Sequence, residues 1–91
     1  MSGRSGKAGT DSAVDAEAEF EEAPGAGVEV LIVPAAPEEG STDGEAIDAA
    51  ARELLADLGI DGCRVTIRDH GAPAWVARAR LEAAVRRAGV E

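Results

Sequence analysis

The 91-residue chain carries 18 acidic against 9 basic side chains, a formal charge of −9. That balance opposes binding to phosphate backbones, where Lys and Arg supply most of the attraction. Its two aromatic residues, Phe20 and Trp75, make no stacking platform for single-stranded nucleic acid, so no nucleic-acid partner is expected. A chain this long makes one domain that buries roughly 60% of its unfolded surface, too little for a large self-contained active site.

Residues 1–14, MSGRSGKAGTDSAV, are rich in Gly, Ser and other small residues without periodicity, and are expected to be a flexible arm that packs on nothing. Residues 15–91 are expected to be the folded domain. From 15 to 22 apolar and acidic residues alternate strictly, Ala16, Ala18 and Phe20 against Glu17, Glu19 and Glu21, the pattern of a half-buried strand. Pro24-Gly25-Ala26-Gly27 reads as a turn and residues 28–33, VEVLIV, as a second strand, so the two are expected to form a hairpin. Residues 34–44 read as a loop, with Thr42 and Glu45 spaced as a capping box. Ile47, Ala50, Ala51, Leu54, Leu55 and Leu58 then mark a helical stripe, and Gly59-Ile60 fits a glycine terminator with its hydrophobic contact.

Asp61-Gly62 turns the chain into residues 63–68, where Cys63, Val65 and Ile67 face one way and Arg64, Thr66 and Arg68 the other. Asp69-His70-Gly71 closes that strand, and Pro73 suits a first helical position. Ala77, Leu81, Ala84, Val85 and Ala88 form the apolar stripe of a last helix. Arg86 and Arg87 sit where the helix dipole favours cations, and Gly89 follows as a terminator. The order β-β-α-β-α predicts a small two-layer α/β (α+β) domain, one sheet with two helices packed on one face. If the second and third strands are parallel neighbours, the helix between them crosses over right-handedly. The single Cys63 makes no internal disulfide, no charged-then-apolar leader is visible, and the longest apolar run is too short to span a bilayer. A cytoplasmic protein without membrane contact is expected.

Asp69-x-Gly71-Ala72, a short gap, and then Val76-x-Arg78-Ala79-Arg80-Leu81-Glu82-Ala83 resemble the closing segment of the citrate lyase acyl carrier (gamma subunit) family, and more loosely that of the malonate decarboxylase acyl carrier. In that family a serine in a Gly-Thr-x-x-Ser-Gly-Asp context carries a phosphoribosyl dephospho-CoA group through a phosphodiester. The similar stretch here is Ala8-Gly9-Thr10-Asp11-Ser12-Ala13-Val14-Asp15, and the resemblance assigns Ser12 as the attachment residue. Ser12 comes one residue early after Gly9-Thr10, and Ala13-Val14 stands in place of the single glycine before Asp15. The resemblance further implies a non-catalytic carrier subunit of a citrate lyase-like complex. Acetyl and citryl thioesters would ride on the arm between an acyl transferase and an acyl lyase subunit, after loading by a prosthetic-group transferase. A malonate decarboxylase-type carrier, or an interaction module that keeps the fold without an arm, are the alternatives.

Other residues read as structural. Cys63, on the apolar side of its strand, is expected to be a buried thiol, and His70 a polar turn residue, since no activated nucleophile stands beside it. Glu17, Glu19, Glu21 and Glu22 read as a solvated strand face rather than a metal or acid pair, and as a negative surface for a basic partner. Trp75 is expected in the core. Arg78 and Arg80 cannot share a helix face, so one is expected to meet the acidic strand and the other a subunit. No catalytic or metal-binding residues are expected.

Overall fold

A computed structural model describes residues 3–90. The elements are β1 (Ser5–Gly9), β2 (Ala16–Glu22), β3 (Val28–Val33), a 3₁₀ turn (Pro37–Glu39), α1 (Gly44–Asp57), β4 (Cys63–Asp69) and α2 (Ala74–Arg87). They build one four-stranded sheet in the order β1-β2-β4-β3. β2 runs antiparallel to β1 and to β4, while β3 and β4 are parallel and α1 connects them. The inner face holds Ala16, Ala18 and Phe20 of β2 and Cys63, Val65 and Ile67 of β4. These pack on Ile47, Ala51, Leu54 and Leu55 of α1 and Ala77, Leu81, Ala84 and Val85 of α2. This is the expected two-layer domain, with one strand added in front.

That first strand replaces part of the expected arm. Residues 5–9 pair with residues 17–21 of β2, and α2 lies across them. Gly6 makes the approach possible, because a Cβ there would stand 2.1 Å from the Ala84 carbonyl oxygen and 2.7 Å from the Ala88 nitrogen. Glycines that read as disorder are here the places where two backbones touch. Met1 and Ser2 of the expected arm, like Glu91, lie outside the described residues.

The expected hairpin is also replaced. Strands β2 and β3 flank β4 instead of pairing with each other, and the 23–27 connection crosses the beginning of β4. The Ala23 N–H donates to the Gly62 carbonyl and the Cys63 N–H to the Gly27 carbonyl, both at 3.0 Å. β4 takes the centre because its alternation buries one whole side, Cys63, Val65, Ile67 and Asp69, whereas β3 is only half-buried on its better side.

Both helices end as Schellman motifs. Gly59 and Gly89 have φ of +71° and +77°, and the Ile60 and Val90 N–H groups donate back to the Leu55 and Val85 carbonyls. The starts differ by one residue from the reading. Asp43, not Thr42, caps α1 by accepting from the Ala46 N–H at 3.1 Å, which frees Thr42 for the buried Asp69. Pro73 is itself the N-cap of α2, its carbonyl accepting from the Val76 and Ala77 N–H groups. Among the described residues no helix is long and apolar enough to cross a membrane.

Candidate functional site

Ser12 lies in the loop that joins β1 to β2, and the ends of that loop are fixed by polar contacts. Asp15 is the anchor. Its carboxylate accepts from Arg80 Nε at 2.8 Å and Nη2 at 3.2 Å, from the Thr10 hydroxyl at 2.6 Å and from the Ala16 N–H at 2.7 Å. The Arg80 bond foremost, with the Thr10 hydroxyl next, pulls its carboxyl down to about 2. The Asp15 carbonyl accepts from the His70 N–H at 3.0 Å, and the Val14 N–H donates to the His70 carbonyl at 2.8 Å. The loop is thus tied both to α2 and to the turn after β4.

Between these ties the chain makes a tight turn, with the Asp15 N–H donating to the Ser12 carbonyl at 3.2 Å and the Ser12 N–H to the Thr10 hydroxyl oxygen at 3.3 Å. Residues 11–14 are all exposed. Ser12 therefore presents its hydroxyl to solvent from a held backbone. Val14 has φ +58°, the sole positive φ of a non-glycine residue among the described ones, a conformation that glycine adopts freely and a β-branched residue only under strain. Laid from Gly9-Thr10 to Asp15 without a gap, the pattern Gly-Thr-x-x-Ser-Gly-Asp puts its glycine on Val14 and its serine on Ala13. In that register the φ of Val14 suits the pattern's glycine, and Ser12 lies one residue before the position of the pattern's serine.

A shallow groove of about 460 Å³ opens beside this turn, lined by Thr10, Ser12, Ala13, Val14 and Asp15 and by Trp75, Val76, Ala79 and Arg80 of α2. Trp75 forms one wall and is 71% exposed, with Val14 68% exposed nearby. The core placement expected for Trp75 is incorrect. The stripe that buries α2 runs through Ala77, Leu81 and Ala84, and a residue two positions before Ala77 points to the other side of the helix. The spacing from Ala77 is the signal that could have placed it outside.

The Asp69-x-Gly71-Ala72 motif turns out to be structural. Buried Asp69 accepts from the Ala72 N–H at 2.9 Å and from the Thr42 hydroxyl at 2.8 Å, and Thr42 Oγ1 in turn accepts from the Ala35 N–H at 2.7 Å. Gly71 has φ +88°, and a Cβ on it would meet the Glu39 carbonyl oxygen at 2.4 Å. His70 bridges two carboxylates, Nε2 to Glu17 at 2.9 Å and Nδ1 to Glu39 at 2.8 Å. A neutral imidazole has one N–H to give, so both contacts together call for the imidazolium. Glu17 first and Glu39 second raise its pKa above the usual value. Cys63 is fully buried, and loss of solvent raises its thiol pKa.

The glutamates on the outer face of the sheet have basic neighbours close at hand. Glu19 meets Arg68 at 2.6 Å and Lys7 at 3.2 Å, Glu21 and Glu29 meet Arg64, and Glu22 meets Arg4. The sheet face expected to be negative is therefore largely neutralised by its own neighbours. Arg80 holds Asp15, and Arg78 reaches Glu53 and Asp57 of α1 at 3.9 and 3.7 Å. Arg80 thus meets the acid that immediately precedes β2, not the glutamates of its outer face. Among the described residues no group of three His, Cys, Asp or Glu side chains could hold a metal ion.

The chain resembles known proteins along almost its whole described length. A family model described as "ACP: Malonate decarboxylase delta subunit" matches residues 4–88. The citrate lyase acyl carrier protein of Escherichia fergusonii is 53% identical over 45 residues, 50% of this chain and 46% of that protein. That of Haemophilus influenzae is 49% identical over 45 residues, covering 50% and 47%. The aligned segment spans about half the length of these curated relatives. With β1 and the closing helix both inside the matched residues, the chain belongs to the acyl carrier protein family of the malonate decarboxylase delta subunit.

Proposed function

We propose that this protein is the acyl carrier subunit of a citrate lyase-type assembly, with a phosphoribosyl dephospho-CoA arm joined to Ser12 through a phosphodiester. The likeness to citrate lyase acyl carrier proteins supports the class. The observation that carries the site is the exposed Ser12, whose hydroxyl makes no hydrogen bond among the described residues, on a turn held by Asp15, Arg80 and Thr10. An attachment point needs that combination, since the hydroxyl must enter a modifying enzyme and the backbone must return to the same place afterwards. Bound there, the arm would supply a thiol that carries acetyl and citryl groups as thioesters.

The chain's own residues do no bond chemistry in this reading. Asp15, Arg80 and the His70 backbone hold the tether at one end of the sheet, and tethering raises the local concentration of the carried group at each partner site. The partners are an acyl transferase subunit, an acyl lyase subunit and a prosthetic-group transferase, in the cytoplasm. A malonate decarboxylase-type complex is the nearest variant of the same role, favoured by the matching family model. One observation favours a second reading, an interaction module without an arm. In the ungapped register Ala13 takes the place of the attachment serine.

Acyl labelling separates the two. The complex isolated from its host and incubated with labelled acetyl donor should carry a label on this chain that neutral hydroxylamine releases as from a thioester. Ser12→Ala should carry none while keeping its fold. A label that survives in Ser12→Ala would refute Ser12 as the attachment residue.

A further inference from the structure

The exposed tryptophan beside the attachment turn is the feature that the fold itself leaves unexplained. α2 buries its stripe against the sheet without Trp75, and nothing in the core or at the caps uses the indole. Of the four large apolar side chains exposed among the described residues, Val14 and Trp75 line the same groove as Ser12, while Leu31 and Val33 stand on β3. An indole face is a good surface for stacking a base, and it stands here on the first turn of a helix.

A cation lies in the same groove. Arg80 gives Nε and Nη2 to Asp15, its side chain is 43% exposed, and Nη1 has no partner among the described residues. An aromatic face and an unused guanidinium donor, next to an exposed hydroxyl, match the two chemical parts of a nucleotide, base and phosphate.

We propose that this groove is the resting seat of the arm's nucleotide portion, with its adenine stacked on Trp75 and a phosphate on Arg80 Nη1. The inference rests on the attachment at Ser12 proposed above. A nucleotide linked to Ser12 starts at the mouth of the groove, so even weak stacking is favoured by its high effective concentration. The seat would hold the nucleotide end against the carrier while the thiol-bearing end stays free to reach partner sites.

Trp75 is the chain's single tryptophan, so its emission reports the seat directly. Protein isolated from its host is first weighed and fragmented to establish an adduct on Ser12, and its emission and acrylamide quenching are then compared with Ser12→Ala. The loaded protein should lose about half or more of its Trp75 emission and become less accessible to acrylamide, as expected for a base stacked on the indole. Phosphodiesterase that removes the arm should restore both. An adduct established on Ser12 with unchanged emission and unchanged quenching would overturn the seat and leave the carrier reading standing. Absence of any adduct would overturn both.

Discussion

Replacing Asp15 by Asn tests how the turn that presents Ser12 is held. In the folded protein the Asp15 carboxyl lies at about 2, against an ordinary value of 3.8. A difference of about 1.8 pH units corresponds to at most about 2.4 kcal/mol at 1.36 kcal/mol per unit. Asp15 is 13% exposed but Arg80 is 43% exposed, so solvent screens part of the attraction and about 1–2 kcal/mol is the better expectation. The folded value lies below the unfolded one, so the contribution is complete above pH 4. It is lost as pH falls through 3.8 towards 2. Urea denaturation of both proteins from pH 6 to pH 2 isolates this group, because other shifted acids such as Glu19 and Glu39 are common to both. The stability gap between wild type and Asp15→Asn should be about 1–2 kcal/mol at pH 6 and shrink steadily below pH 4. A gap that stays constant down to pH 2, or is absent at pH 6, would refute the Asp15–Arg80 anchor.

Three further outcomes are expected. Gly6→Ala should cost about 1–3 kcal/mol by overpacking β1 against α2, and hydrogen exchange should show amides 5–9 losing protection; retained protection would mean that β1 does not lie under α2. Val14→Gly should stabilise by up to about 1 kcal/mol, since relief of a left-handed conformation worth about 1–2 kcal/mol exceeds the added entropy of glycine in the unfolded chain. Thermal melts that show Val14→Gly to be less stable would remove the strain from the account. His70, between Glu17 and Glu39, should titrate above 6.5 by NMR. Because its folded value is raised, its contribution is complete below pH 6.5 and disappears as pH rises through the folded pKa, and a titration at or below 6.5 would show that the bridge does not form.

The helices and the strands β2, β3 and β4 were legible because their signals are local. Stripes such as Ile47-Ala51-Leu54-Leu55 and alternations such as Cys63-Val65-Ile67 name the buried side wherever it ends up. What was not legible depended on distant backbone. Gly6 reads as disorder until α2 is placed 2.1 Å from its missing Cβ, and the pairing of β2 with β4 follows from a central position that no turn sequence announces. Thr42 looks like a helix cap until buried Asp69, 27 residues away, claims its hydroxyl. At the candidate site, Ser12 was singled out through the family pattern. Its anchor was not, because the partners of Asp15 are 5 and 65 residues distant. Val14 shows the same limit, since its glycine-like φ is invisible in the letter V.

The most direct test of the carrier role is the intact mass of the protein from its own host, with fragmentation to place any added group. The expected result is an increment equal to a phosphoribosyl dephospho-CoA group, joined by phosphodiester and located on Ser12. A chain of unmodified mass would contradict it, and would leave an acyl-carrier fold whose turn at Ala13-Val14 no longer carries an arm.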